Sequence, residues 1–208
     1  MGKRLISAVE PQKKKNDRYN IYIDGEYAAS LGAEACAVFG IKKGEAIDEN
    51  VLRSAVFEDN TKYAFDSAVS LLAVKMRTRS ELFSKLSRKG IDGDAISAAI
   101  EKLAGYGYVN DAVYAKEIIR TAIASANYGR KAIAYKLKSS GIDDETIKEA
   151  LALYTDETEK KIAEKKLKVL WARYKNDRAA KRKMFSHLAR HGFDYSIIRT
   201  LISEDEEY

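Results

Sequence analysis

Basic residues recur at fixed distances before three glycines that stand 51 residues apart in the chain. The glycines are Gly90, Gly141 and Gly192. The positions eleven, five and two residues before them carry, copy by copy, Arg79, Lys85 and Arg88, then Arg130, Lys136 and Ser139, then Lys181, His187 and Arg190. This regular spacing of cations predicts a binding surface for an anionic partner.

The position eleven residues before each glycine is the most informative of the three. It falls in the first turn of a predicted helix, where a cation opposes the helix macrodipole at a cost of about 0.3–1 kcal/mol. Its threefold recurrence indicates that an anion lies beside this turn, either a phosphate or a partner's carboxylate. The alternative that these cations pair with acids of a neighbouring helix stays open.

We take twelve basic residues as the candidate surface for the partner or for DNA. They are Arg77, Arg79, Lys85, Arg88, Lys89, Arg130, Lys131, Lys136, Lys181, Arg182, Lys183 and Arg190. Arg130 and Lys136 lie in the middle copy, where contacts are better desolvated than at a rim, so we expect the largest contribution from them. We expect both side chains to flank the apolar stripe of their helix rather than to fill it.

The other reactive side chains do not combine into a recognisable catalytic or metal site. His187 and His191 have metal-ligand spacing on a helix, but no third ligand is evident and their positions in the repeat are polar surface positions. Cys36 lies in a small apolar run and is expected to be a buried hydrophobe. Neither a nucleophile–base pair nor a nucleotide loop is present. We therefore expect no enzyme activity, no cofactor and no metal.

The pattern around the three glycines predicts a helical repeat that occurs three times. In each copy a helix ends at a glycine in the left-handed C′ position, and the apolar pairs Leu86–Ile91, Leu137–Ile142 and Leu188–Phe193 close the turn. Asp92, Asp143 and Asp194 then cap the next helix. Amphipathic stretches at 62–75, 111–125 and 157–175 supply a further helix for each copy.

The N-terminal region reads as strands rather than helices. Alternating residues in Arg18–Tyr27 surround Asp24-Gly25, a dipeptide typical of a type I′ hairpin turn, and Lys3–Glu10 is a candidate third strand. Residues 33–60 read as short helical pieces. The predicted fold is mainly α, with three tandem three-helix repeats in an elongated curved array behind a small N-terminal β-hairpin extension. The predicted limits are 1–60, 61–111, 112–162, and 163–208 with an acidic tail, Glu204–Glu207.

Composition sets the class of protein. The 208 residues carry a net charge of +6 and a single cysteine, which excludes an internal disulfide framework. The positive excess lies after residue 60, because residues 1–60 sum to −1 whereas residues 61–154 sum to +4 and residues 155–203 to +7. No apolar run reaches the roughly 18 residues of a membrane span, and no export signal is seen. We expect a cytoplasmic monomer with no membrane contact.

Several of these motifs resemble the bacterial RecX family of recombinase regulators. The resemblance is carried by Arg77-x-Arg79-Ser80-Glu81-Leu82, by Leu103-x3-Gly107-Tyr108-Val109-Asn110-Asp111, and by Gly129-Arg130-Lys131-x-Ile133 with Leu137 and Gly141-Ile142. It extends from about residue 18 to residue 203. The third copy departs from it where Ala180 stands in the place of Gly129.

The resemblance implies a non-enzymatic role. Members of that family bind the filament of the RecA recombinase on DNA and restrain its growth, ATP hydrolysis and strand exchange. By this resemblance the partners are the RecA filament and, weakly and electrostatically, single- or double-stranded DNA. Two other readings of the residues stay open: a sequence-specific or non-specific DNA-binding module of helix-turn-helix type, and a neutral helical scaffold.

Overall fold

The computed structural model describes residues 3–12, 15–174 and 176–204. The described residues fall into two compact units. Unit 1 comprises those of Met1–Lys75 and Leu82–Tyr108, and unit 2 those of Met76–Glu81 and Val109–Tyr208. The predicted acidic tail lies outside the described residues beyond Glu204.

Unit 1 begins with a four-stranded antiparallel sheet. Its strands are β1 (Arg4–Gln12), β2 (Lys15–Ile23), β3 (Glu26–Gly32) and β4 (Ala46–Ile47), in the order β3-β2-β1-β4. Asp24 and Gly25 join β2 to β3 with φ of 50° and 87°, so the predicted turn with two positive φ angles is confirmed. The third strand is also confirmed as β1, whereas β4 has only two residues and gave no sequence signal.

The longest helix of unit 1 crosses the predicted end of the N-terminal region. After α1 (Ala33–Val38), helix α2 runs over Glu49–Leu72, and Asp48 caps it by accepting the N–H of Asn50. The limit placed between residues 60 and 61 therefore lies inside a helix, because no glycine or proline interrupts the chain from 49 to 72. Residues 49–60 are the first half of α2 and not a separate short piece.

A partly buried ion pair joins α2 to the sheet. Asp59 accepts the backbone N–H of Gly32 at 2.8 Å and the guanidinium of Arg18 at 2.8 Å. The side chains of Arg18 and Asp59 are 18% and 10% exposed. An acid in the middle of α2 thus satisfies a backbone donor at the end of β3, which ties the sheet to the first helix of the first repeat.

Three three-helix repeats follow one another along the chain, as predicted. They consist of α2, α3 (Arg79–Ser87) and α4 (Gly93–Gly105); α5 (Asp111–Ser125), α6 (Arg130–Ser139) and α7 (Asp144–Leu151); and α8 (Asp156–Tyr174), α9 (Ala180–Arg190) and α10 (Tyr195–Glu204). The limit placed between residues 162 and 163 lies inside α8, and the one at 111 lies at the start of α5. The repeats begin where their first helices begin.

The turn after each middle helix has the predicted geometry. Gly90, Gly141 and Gly192 have φ of 78°, 78° and 79°. The N–H of Ile142 donates to Leu137 O at 3.3 Å and that of Phe193 to Leu188 O at 3.2 Å, the long bond of a Schellman motif. The caps after the turns, which accept backbone N–H groups of the next helix, are Asp92, Asp143 and Asp194.

Candidate functional site

In unit 2 the start of one middle helix contacts the glycine turn of the following repeat, and this contact occurs twice. Thr78 Oγ1, just before α3, donates to the carbonyl of Ser140 at 2.6 Å. The N–H of Gly129, just before α6, donates to the carbonyl of His191 at 2.9 Å. Ser140 and His191 each precede the left-handed glycine of their turn. We call these two contacts the repeat joints.

A carboxylate completes each repeat joint. The N–H of Arg79, the first residue of α3, donates to Asp111 Oδ1 at 3.0 Å, and the N–H of Arg130, the first residue of α6, donates to Glu159 Oε1 at 3.1 Å. Both acids belong to the first turn of the next repeat's first helix. Gly129 supplies no side-chain cap to α6, so the following repeat supplies the acceptor that this helix start lacks.

The side chain of Arg130 pairs with a carboxylate of its own chain. Glu159, 1% exposed, lies 3.4 Å from Arg130 Nε and also accepts the N–H of Asp194 at 3.1 Å. The guanidinium further bonds Asp156 and the carbonyl of Tyr154. The alternative of pairing with acids of a neighbouring helix is therefore correct for Arg130. The Arg130 side chain is 37% exposed and pairs with this buried carboxylate of its own chain.

Two further predicted residues are engaged within unit 2. Lys131 lies 3.1 Å from Asp194 and 4.5 Å from the centre of the Tyr195 ring. Lys183 pairs with Asp177. Arg77 and Arg79 are half-buried and make contacts of their own, and so does the exposed Lys181.

The remaining predicted cations form no ion pair in the part of the chain that the structure describes. Five of them make neither a hydrogen bond nor an ion pair through the side chain, and these are Lys85, Arg88, Lys89, Lys136 and Arg182. Arg190 only donates to the carbonyl of Ser186, one turn earlier in its own helix. Lys85 is half-buried and the other five are exposed. Whether any of them binds a partner stays a prediction.

The acids of the repeat joints were not identified from the sequence. Asp111 and Glu159 stand among other first-turn acids, which a helix macrodipole favours at any helix start. The first turn of α8 contains three acids, Asp156, Glu157 and Glu159. Glu159 differs from the other two only in being buried, which the sequence does not show. The absence of a capping side chain at Gly129 was the one available signal that an acceptor must come from elsewhere.

Cys36 and the histidine pair lie in different surroundings. Cys36 is buried in the core of unit 1, and this burial raises the pKa of its thiol, as does the nearby charge of Asp59. His187 and His191 stack on each other with ring centres 4.2 Å apart. Among the described residues no group of three His, Cys, Asp or Glu side chains could hold a metal ion.

Asp194 makes unit 2 sensitive to acid. Hydrogen bonds from the Ser196 hydroxyl and N–H, together with the Lys131 ammonium, lower the pKa of Asp194 to about 2. A carboxyl whose pKa is lower in the folded than in the unfolded chain stabilises the fold above its usual pKa near 4, and this contribution is lost as the pH falls toward 2.

We therefore expect Asp194→Asn to flatten the fall in melting temperature between about pH 4.5 and about pH 2.5. The effect is moderate because the carboxyl is 42% exposed and solvent screens it. Thermal melts followed by circular dichroism at a series of pH values measure it. An Asp194→Asn protein with the acid sensitivity of the wild type would contradict this assignment.

The architecture defines a class: a tandem array of three-helix repeats, preceded by a small sheet. Family models agree with each part in order. The model described as the regulatory protein RecX N-terminal domain matches residues 4–48, and those described as the first, second and third three-helix domains of RecX match 64–103, 110–151 and 156–202. The chain belongs to the RecX family.

Relatives match over nearly the whole chain. The regulatory protein RecX of Clostridium acetobutylicum is 34% identical over 98% of this chain and 97% of its own length. That of Bacillus subtilis is 30% identical over 97% of this chain and 77% of its own length. These names are those of regulatory proteins and not of enzymes.

Solved structures of the family share the fold. A crystal structure titled regulatory protein RecX has a TM-score of 0.69 at 30% identity and covers 95% of this chain and 98% of its own. RecX from Lactobacillus salivarius has a TM-score of 0.67 at 33% identity, over 73% of this chain and 99% of its own. Among the described residues, the helices are all too short or too polar to span a membrane.

Proposed function

We propose that this protein regulates the RecA recombinase by binding the RecA–DNA filament, and that it mainly inhibits filament growth, ATP hydrolysis and strand exchange. The observation that carries the proposal is the match of all four RecX family domains, in order, along the chain. The protein acts in the cytoplasm as a monomer without catalysis of its own. The regulatory names of its full-length relatives support this role.

The contact residues are the predicted cations that form no ion pair within the described residues. In unit 1 these are Lys85, Arg88 and Lys89, and in unit 2 Lys136, Arg182 and Arg190. Arg130 is not included among them, because it already forms an ion pair with the buried Glu159. A cation without a carboxylate beside it gains more from a phosphate or an acidic protein surface than a paired one does.

Charge reversal of one such pair tests the proposal. We expect Arg88→Glu with Lys89→Glu to raise the concentration needed for half-inhibition of the RecA ATPase on single-stranded DNA by about tenfold. The matched control is Lys42→Glu with Lys43→Glu, an equally exposed pair of neighbours in unit 1 that precedes the repeats. Wild-type inhibition by the folded Arg88/Lys89 variant would show that this part of the surface does not contact the filament.

Direct DNA binding separates the three functional classes. A filament regulator is expected to bind single-stranded DNA weakly and without sequence preference, with affinity falling steeply between about 50 mM and about 200 mM salt. A sequence-specific module would prefer one duplex, and a scaffold would bind no DNA in this salt-dependent way. Fluorescence anisotropy with labelled oligonucleotides of different sequence measures both properties.

A further inference from the structure

Two imidazole rings and a tyrosine ring form a stack on one side of α9. His187 and His191 lie one turn apart with ring centres 4.2 Å apart and planes 17° apart. Tyr128, in the segment before α6, stacks on His191 with ring centres 6.0 Å apart. His191 Nδ1 donates to the carbonyl of His187 at 2.8 Å, which fixes the ring and leaves Nε2 for another partner.

Further basic groups surround this stack from two helices. Arg190 lies on α9 between the two histidines, and Lys166 and Arg173 lie two turns apart on α8, which packs against α9. Lys166 Nζ donates to Asn127 Oδ1 at 3.2 Å, which brings α8 to the segment that carries Tyr128. The third neighbour, α10, packs on α9 through Tyr195, which stacks on Phe185.

This gathering of basic groups is not balanced by acids. In the part of the chain that the structure describes, Lys166, Arg173 and Arg190 make no ion pair with a carboxylate. Burial lowers the pKa of Lys166. Burial also lowers the pKa of His187, and the positive charges around it lower the pKa further; these come from His191, Lys166, Arg190 and Arg173. Without a ligand, protonation of these side chains is therefore less favourable than usual, and a bound anion would make it more favourable.

We propose that this histidine cluster, formed by His187, His191, Lys166, Arg173 and Arg190, binds a phosphate group and does so more tightly when the imidazoles are protonated. A neutral imidazole has a single N–H, and in His191 this N–H donates to the carbonyl of His187. An imidazolium ring has two N–H groups, so protonation leaves each ring with a donor for an oxyanion. Lysine and arginine supply the constant part of the attraction, and the histidines supply the part that depends on pH.

A metal ion suits this cluster less well than an anion. A zinc site needs three or four neutral or anionic ligands, and the described residues contribute only the two imidazoles here. Three cationic side chains around them oppose a divalent cation and favour a group with negative charge. The phosphate could belong to a nucleic-acid backbone or be free in solution, since both present the same oxygens.

Titration of the histidines by NMR tests the proposal without RecA or a filament. We expect inorganic phosphate to raise the pKa of His187 by about one unit, read from its Cε1–H signal, because an anion close to an imidazolium favours the charged form. By linkage, protonation of His187 then strengthens binding up to about tenfold from about pH 7.5 to about pH 5.5 for an oligonucleotide, whose phosphodiesters keep their charge in this range. Inorganic phosphate itself takes up a proton in this range and is expected to show a smaller gain. Lys166→Gln is expected to weaken both effects. The control is Lys148→Gln, which removes one charge from an exposed lysine on α7.

Short oligothymidylate in place of phosphate identifies the source of the group. A pH-dependent gain in affinity for the oligonucleotide that is lost in a folded His187→Gln/His191→Gln variant supports a nucleic-acid backbone. An effect of inorganic phosphate alone supports a free phosphate. The proposal is overturned if neither ligand moves the pKa of His187, and this outcome leaves filament inhibition at neutral pH untouched.

Discussion

Replacing Glu159 by alanine is expected to lower the free energy of unfolding by about 3–5 kcal/mol, because it leaves two backbone donors without their acceptor and removes one of the two carboxylates that pair with the half-buried Arg130. Glu159 is 1% exposed and accepts the N–H of Arg130 and of Asp194, each at 3.1 Å. Alanine has the higher helix propensity, and the loss of a first-turn carboxylate costs α8 only about 0.3–1 kcal/mol. Most of the loss must therefore come from the repeat joint.

Thermal denaturation followed by circular dichroism measures this loss. For a chain of this size it corresponds to a fall in melting temperature on the order of 10 °C. Glu157→Ala is the matched control, since Glu157 lies two residues away on α8, is exposed and pairs only with Lys161. We expect a loss of no more than about 1 kcal/mol there, from the first-turn charge and the exposed ion pair. Glu159→Gln keeps one acceptor oxygen and should fall between the two. Equal melting temperatures for the Glu159→Ala and Glu157→Ala proteins would show that Glu159 does not stabilise the joint.

The parts of the fold that local chemistry determines were predictable from the sequence. A left-handed glycine followed by an apolar residue and a capping aspartate specifies a helix end and a helix start within a few residues, so the turns at Gly141 and Gly192 follow from their motifs. The same holds for the β2–β3 hairpin, whose Asp24-Gly25 turn depends on two adjacent residues.

The parts that depend on residues distant in the chain were not predictable. Whether Glu159 is a solvated first-turn acid or a buried acceptor depends on where α6 and α10 begin in space, which no local pattern encodes. The role of Arg130 changes with it, from an exposed binding residue to one half of an internal pair. The two-residue strand β4 exists only because β1 lies beside it.

Glycine at the repeat joint between α6 and the turn of the third repeat illustrates both kinds of constraint. A Cβ at Gly129 would lie 2.4 Å from the backbone N and Cα of Phe193, and one at Gly192 would lie 2.2 Å from the N of Ala132. Gly129 has φ of −82°, which any residue adopts, whereas Gly192 has φ of 79°. Close approach alone requires glycine at 129, and close approach and backbone conformation both require it at 192.

Alanine substitution at three glycines separates these contributions. Gly90 has the same left-handed φ as Gly192, but a Cβ there would meet nothing within 4 Å. Gly90→Ala is therefore expected to cost only the conformational term, about 1 kcal/mol. Gly129→Ala carries only the overlap with backbone, about 1–3 kcal/mol. Gly192→Ala carries both terms and is expected to destabilise the protein most.

The order of the three melting temperatures decides whether the joint is as tight as the structure shows. Overlap with backbone atoms cannot be relieved by rotating a side chain, so Gly129 and Gly192 should tolerate a methyl group less well than Gly90. In the third repeat Ala180 stands where Gly129 stands in the second, and among the described residues no glycine turn of a later repeat contacts it. The steric constraint thus belongs to the joint between α6 and the third repeat and not to the helix start, since Thr78 occupies the equivalent position at the other joint. If Gly90→Ala and Gly192→Ala melt at the same temperature, the third repeat does not pack closely against α6.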